Sequence, residues 1–373
     1  MIYGYKNIWK VAGPILLGMV IQQLIGVTDV VFLGRVGQAE LGASAIAGLY
    51  YITIYMLGVG FGVGVQILIA RLNGRGHYHR IAPVFYQAMG LMLGFAAAAI
   101  VVSYLLTPWA LPLLISSPRV LAAARDYLHF RVWGFVFAFA VIVFRAFYVG
   151  IVNTRILSWS AGIMLIVNVV GNYLLIFGNF GFPEMGIGGA ALASVIAEAV
   201  SAAVFVVYTR YKVNVSRYGL DAFYGYDPHL VKKIFSVSVW TTIQLFVSFA
   251  TWFFFFVAIE HIGELELAAS NVLRSISTML YMVVGALGAA ASSLTANLVG
   301  QERVKQVGPT CGRIIRLGFA IELAATVIYV ANVWYVVVWR QSSLAWCWST
   351  EYFYNFMMML FSYWYLRRKK LIF

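Results

Sequence analysis

Apolar residues occur in this chain as long, nearly unbroken runs. They do not form the i, i+3, i+4 stripe of a soluble amphipathic helix or the period-two alternation of a barrel strand. A run of about 20 apolar residues crosses a ~30 Å hydrocarbon layer as a helix, which satisfies its own backbone polar groups. The runs predict helical spans near 11–33, 44–70, 83–107, 126–150, 156–177, 188–209, 232–259, 268–298 and 310–333, with a tenth, poorly formed span at 344–366. The polar connections are short except 210–231, which carries Arg210, Lys212, Arg217, Asp221 and Asp227 and reads as a linker. Composition points the same way: 62% of the 373 residues are hydrophobic, 10% are charged, and the mean hydropathy is +0.87. A water-soluble globule of this size would lack the polar groups to cover its surface. The expected class is an all-α polytopic membrane protein.

A formal net charge of +13 raises the question of a nucleic-acid partner. No basic stripe with interleaved aromatic residues supports one, and none is expected. The cations lie instead in the short loops between spans. With the N-terminus in the cytoplasm, 19 of the 26 Lys and Arg residues fall on the inner side, among them Arg71, Arg75, Arg80 and the RRKK at 367–370. Only Arg35, Arg119, Arg125 and Arg340 fall outside, while Arg131, Arg145 and Arg274 lie inside spans near their ends, where long side chains can snorkel. The expected location is the cytoplasmic (inner) membrane, with a cytoplasmic N-terminus and a first span that is retained rather than cleaved. Cys311 and Cys347 suit free thiols rather than a disulfide framework or a metal site.

An internal repeat organises the chain. Residues 37–74 align without gaps on 263–300, matching at Gly37/Gly263, Glu40/Glu266, Leu41/Leu267, Ala43/Ala269, Ser44/Ser270, Tyr55/Tyr281, Met56/Met282 and Gly74/Gly300 among others. The shared turn G-x-x-E-L-x-A-S is polar, so low apolar complexity does not explain it. The repeat equates span two with span eight. Six spans is an even number, so the copies share one orientation and are related by an axis along the membrane normal. This predicts two pseudo-symmetric six-helix bundles: 1–210, a cytoplasmic linker at 211–231, and a second bundle at 232–373. The second bundle is incomplete, giving about ten spans in all. The last forty residues are rich in Trp, and Arg340, Gln341, Ser342 and Ser343 interrupt what would be a clean span.

Enzyme signatures are absent. There is no H-E-x-x-H, no G-x-S-x-G and no Walker lysine after a glycine loop, and no enzyme activity or cofactor is expected. His77 and His79 beside Arg75 and Arg80 read as a solvated basic loop, and the glycine-dense segment 58–64 as close helix packing. The intramembrane acids Asp29, Glu198 and Glu322 stand out, because a carboxylate at bilayer depth is costly unless protonated, paired or hydrated. Gly18, Gln22, Gly26, Asp29 and Leu33 share one helical face, small and polar enough for a water-filled cavity. An Asp hydrated at the outer boundary is the plainer alternative. Pro14 removes a backbone hydrogen bond from the same span and favours a kink. Asn168 and Asn172, one turn apart in span five, either bind helices together or supply oxygens to a small cation; Ser194 and Glu198 add a hydroxyl and an acid from span six. Converging on Asp29, these groups would make a site for H⁺ or Na⁺, with Na⁺ held by Asp29, Asn168 and Asn172. The role of Glu322 stays open.

These pieces together resemble the MATE (multidrug and toxic compound extrusion) family. The resemblance rests on P-x-x-L-x-x-x-x-Q-Q-L-x-x-x-x-D-x-x-F-L-G-R-V-G at 14–37, the repeated turn, N-V-V-G-N-Y-L-L-I-F-G at 168–178, G-I-G-G-A-A-L-A-S-V-I at 186–196, and residues 252–271. It implies alternating access, and export of small amphipathic or cationic compounds by a monomer exchanging them for H⁺ or Na⁺. It makes Asp29 the coupling acid, Pro14 the bending proline, and Asn168 and Ser194 members of the ion site. Asn172 stands where many members carry a second aspartate, and Gln244 and Ser248 where one branch carries a glutamate. No likeness extends past about 330, as expected of a C-terminally truncated chain. A flippase for a lipid-linked precursor and a non-transporting remnant are the alternative readings.

Overall fold

The computed structural model describes residues 3–115, 117–222, 224–260 and 264–337. They form helices α1 (Tyr5–Val36), α2 (Gln38–Gly74), α3 (Ile81–Leu114), α4 (Pro118–Arg131), α5 (Gly134–Gly150), α6 (Arg155–Leu175), α7 (Gly186–Lys212), α8 (Val215–Tyr218), α9 (Pro228–Glu260), α10 (Glu264–Gly300) and α11 (Val307–Val337). Each of the first nine expected spans is helical, and the tenth, 344–366, lies outside the described residues together with Arg340 and Cys347. Among the described residues, seven helices are individually long and apolar enough to cross a membrane, and α4 with α5 makes an eighth, bent span. α1 runs as one helix through Pro14, so the proline does not end the span.

The fourth span departs from the expected single helix at 126–150. It starts at Pro118, where a proline at the first helical position loses no bond, and bends by 51° between α4 and α5. At the break the backbone bonds shorten to i→i−3, as in Trp133 N to Phe130 O (3.3 Å) and Phe135 N to Val132 O (3.1 Å). Gly134 opens α5 at the inner side of this elbow, where a Cβ would run into the Arg131 guanidinium and the Glu198 carboxylate. Hydropathy alone hides α4, because Arg119, Arg125, Asp126, His129 and Arg131 dilute its apolar residues.

A tight hairpin joins α6 to α7. Gly178 adopts φ +67°, a left-handed conformation that glycine takes without strain, and the chain then closes back with Met185 N to Leu175 O (2.9 Å) and Gly186 N to Ile176 O (3.2 Å). Gly189 lies against the Leu175 carbonyl with no room for a side chain. The N-V-V-G-N-Y-L-L-I-F-G and G-I-G-G segments are thus the two arms of one hairpin, which sets Asn168 beside Ser194.

Helices before and after the connection at 213–227 pack on one another: α2 on α9, α1 on α10, and α2 on α10. The repeat-matched glycines Gly74 and Gly300 face one another, and a Cβ on Gly300 would lie 3.0 Å from the Gly74 Cα. The same end carries Asn73 Nδ2 donating to Asn297 Oδ1 (2.7 Å), Asn297 Nδ2 to the Gly150 carbonyl (3.0 Å), and Gln66 Nε2 to the Ala289 carbonyl (3.2 Å). The connection after α7 is held to the first bundle. Tyr86 donates to the Leu220 carbonyl (2.7 Å), Gln87 to the Gly225 carbonyl (2.7 Å), and Arg217 stacks on Tyr78 at 4.1 Å. The Ser216 hydroxyl donates to Asp221 (2.8 Å) and holds that exposed carboxyl below the usual range.

Candidate functional site

Asp29 lies on α1, facing the hairpin of α6 and α7. Asn172 Nδ2 donates to Asp29 Oδ1 (2.6 Å) and also to Asn168 Oδ1 (3.2 Å), and Asn168 Nδ2 donates to Ser194 Oγ (3.2 Å). Both asparagines are fully buried and Ser194 nearly so. The Asn172 amide nitrogen therefore occupies the point where oxygens of Asp29 and Asn168 converge. The Asn172 Oδ1 atom, by contrast, is buried without a hydrogen-bond partner. An orphaned acceptor beside a carboxylate is costly, and turning the amide over would satisfy it only if a proton or a metal cation sat against Asp29. The four side chains supply a carboxylate, two amide oxygens and a hydroxyl, a hard oxygen set suited to Na⁺ and equally able to hold a proton on the acid. Among the described residues no group of three or more His, Cys, Asp or Glu could hold a metal, so any metal here relies on neutral oxygens.

One turn further along α7, Glu198 does not join this cluster. Its carboxylate forms a two-pronged pair with Arg131, Nη2 to Oε1 at 2.7 Å and Nη1 to Oε2 at 2.9 Å, with both residues under 10% exposed. The Tyr51 hydroxyl lies 3.2 Å from both carboxylate oxygens, and the Arg131 guanidinium sits 3.6 Å over the Tyr51 ring. Phe135 stacks on the other face of that ring, 4.4 Å between centroids. The guanidinium is thus enclosed by an opposite charge and a π face, which offsets the cost of carrying an ion pair into a lobe interior. Arg131 does not snorkel: the elbow of the fourth span turns it inward.

A third layer follows. Arg145 of α5 donates to Gln22 Oε1 (3.3 Å) beside a cavity of about 10 Å³, roughly the space of one water. Ser160 and Ser201 share a hydrogen bond of 2.7 Å in the wall of that cavity. Below it Tyr148 and Thr209 meet at 2.7 Å. Ser194, Glu198, Ser201 and Thr209 recur on one face of α7 and each engages a different element, so α7 is the polar spine of the bundle.

Of the residues singled out from sequence, Asp29, Asn168, Asn172 and Ser194 come together. Gln22 belongs to the Arg145 layer and Glu198 to the Arg131 layer, which corrects the expectation that all six converge on Asp29. Gly26, on the Asp29 face of α1, has nothing within 4 Å of where a Cβ would stand, so this face is open there. Among the described residues, Gln244 and Ser248 form a local bond, Ser248 Oγ to the Gln244 carbonyl at 2.9 Å. The Glu322 and Arg274 side chains lie outside the described residues. Sequence reasoning missed Tyr51, and it gave Arg131 and Arg145 only as snorkelling cations near span ends, whereas they bond to Glu198 and Gln22. The available signal was Glu198 itself, since a carboxylate at that depth requires a cation, and Arg131 and Arg145 were the N-terminal candidates.

Known proteins resemble this chain in sequence and in fold. The family described as MatE matches residues 14–174 and 232–364. A probable multidrug resistance protein NorM of Rhizobium meliloti is 25% identical over 320 residues, covering 85% of this chain and 68% of that one. A second, from Idiomarina loihiensis, is 28% identical over 285 residues, with 75% and 60% covered. Among solved structures, an outward-facing multidrug resistance MATE family transporter of the MOP superfamily superimposes with a TM-score of 0.79 at 19% identity, over 90% of this chain and 74% of that one. A MATE structure in a bent conformation gives 0.78 at 20% identity, over 91% and 76%.

Proposed function

The chain belongs to the MATE family of membrane transporters, and from that premise we propose that it exports small amphipathic, mostly cationic compounds in exchange for an inward-moving H⁺ or Na⁺. The observation that carries the proposal is the pairing of Asp29 with the orphaned Asn172 oxygen. In this reading the ion neutralises Asp29 and lets Asn172 turn its oxygen inward, with Asn168 Oδ1 and Ser194 Oγ completing the set. Where the ion is Na⁺, Asp29, Asn168, Asn172 and Ser194 hold it and it supplies only positive charge. Binding removes one negative charge from a bundle in which Glu198 and Arg131 are buried and Asp29 and Arg145 half-buried, and a change of that size shifts the balance between two conformations. Glu198 stays tied to Arg131 and does not exchange the ion.

Alternating access then uses the repeat. The contacts of Gly74, Asn73 and Gly150 with the α10 end close one side, which is the cytoplasmic side if the N-terminus is inside as the charge distribution indicates. Pro14 supports bending of α1, the helix that carries Asp29. The protein works as a monomer in the cytoplasmic membrane. The family name of the relatives, multidrug resistance, supports a broad cargo range, and shape and apolar contact set such a range better than a fixed motif.

Asp29→Asn removes the switchable charge while keeping size and hydrogen bonding. Efflux of a fluorescent organic cation from cells expressing equal amounts of protein falls to background in this variant, with an unchanged melting temperature. Undiminished efflux would remove Asp29 from the mechanism.

A further inference from the structure

The elbow of the fourth span has an outer face as well as an inner one. Because α4 leans away from α5 by 51°, it diverges from α3 and leaves a cavity of about 300 Å³ between them. Arg125, Leu128, His129 and Val132 recur at i, i+3, i+4 and i+7, so one face of α4 lines it, while Tyr127 and Arg131 point to the bundle interior. Leu128 and Val132 form the buried floor. The lower rim is a fixed aromatic clasp across the two helices. Trp133 Nε1 donates to the Tyr104 hydroxyl (3.1 Å), which in turn donates to the His129 carbonyl (3.2 Å), and both rings are about half exposed.

Arg125 is the cation on this face of α4. It lies seven residues into α4, about 10 Å along the axis at 1.5 Å per residue. It is exposed at the cavity mouth, and no carboxylate among the described residues is within ion-pairing distance of it. It is also one of the few cations on the side of the chain that the loop charges mark as cation-poor, and Arg119 lies on the same short helix. A cation at that depth calls for an anionic partner, and none of the described residues supplies one. An amphipathic cation of the kind proposed as cargo is repelled by Arg125. A diacyl phospholipid fits both halves: its phosphate meets Arg125 and the His129 ring, and one acyl chain lies over Leu128 and Val132 toward the Tyr104–Trp133 clasp.

We propose that the cleft between α3 and α4 is a binding site for an anionic phospholipid, held through its phosphate by Arg125 and His129. This is independent of the coupling site and stands or falls without it.

Native mass spectrometry of the purified full chain, titrated with dioleoyl phosphatidylglycerol or dioleoyl phosphatidylcholine, tests it. In the unaltered protein the tightest binding event prefers phosphatidylglycerol. Arg125→Gln with His129→Gln weakens that event about tenfold, the scale of losing one charge-assisted contact. Arg75→Gln with His77→Gln, the same charge change on a loop, leaves it intact. Thr107→Trp keeps both cations, fills the cleft and weakens lipid binding as well. Equal affinity for the two lipids, equal losses in the loop variant, no effect of the cleft substitutions, or equally tight binding of glycerol phosphate alone would each overturn the proposal.

Discussion

At the scale of single residues, two intramembrane carboxylates stand in different surroundings, Asp29 half-buried and Glu198 buried. Asp29 is hydrogen-bonded by a neutral amide, with the Arg131 charge acting on it from further off, whereas Glu198 contacts a guanidinium and a phenol; in the proposed mechanism the first changes charge state and the second is fixed. Breaking the fixed pair leaves a buried charge alone. Arg131→Met and Glu198→Leu each destabilise the protein by about 3–5 kcal/mol, while the double variant recovers most of the loss. Thermal unfolding of the four proteins in one detergent measures this, and a double variant as unstable as the worse single one would refute the pairing argument. Asn172→Asp does the opposite at the neighbouring site. It puts a second carboxylate where an amide nitrogen now stands 2.6 Å from Asp29 Oδ1, and the ion concentration for half-maximal efflux falls by about tenfold or more. An unchanged ion requirement would place the ion elsewhere.

At the scale of elements, the long apolar runs were legible because membrane burial demands contiguity, and the repeat was legible through its one polar turn. That turn has a physical basis: the Glu40 carboxylate lies over Gly37 in the first turn of α2, where an acid favours the helix N-terminus. Asn168 and Asn172 could be placed on one face by spacing, and the left-handed Gly178 explains why Ser194 meets them. The elbow was not legible. Nothing in the composition of 118–133 separates a polar span from a loop, and the inward turn of Arg131 depends on a bend that only tertiary packing fixes. Gln22 and Glu198 were misplaced for a related reason, since helical spacing gives a face but not the height at which a neighbouring helix supplies a partner. Gly134→Ala tests the elbow directly. Its methyl would displace Arg131, costing about 1–3 kcal/mol, whereas Gly94→Ala in α3, with nothing near its Cβ position, is neutral or stabilising. Equal melting temperatures for the two variants would mean the elbow tolerates a side chain.

At the scale of the whole molecule, the repeat-related ends of α2 and α10 meet glycine to glycine, and Asn73 and Asn297 bridge them. If this contact must open during transport, cysteines at 73 and 297, with Cys311 and Cys347 replaced by Ser, cross-link in the resting protein and stop efflux until reduced. Full efflux from the cross-linked protein would show that the closure is static. Above these details stands the claim that one monovalent cation, by cancelling the charge of Asp29, drives the exchange. The most direct measurement is uptake of a fluorescent organic cation into proteoliposomes under a pH gradient or a sodium gradient, each imposed alone, with the unaltered protein and with Asp29→Asn. The account predicts that at least one gradient drives accumulation by the unaltered protein and that neither does so for the variant. Gradient-driven accumulation by Asp29→Asn at the unaltered rate would contradict it.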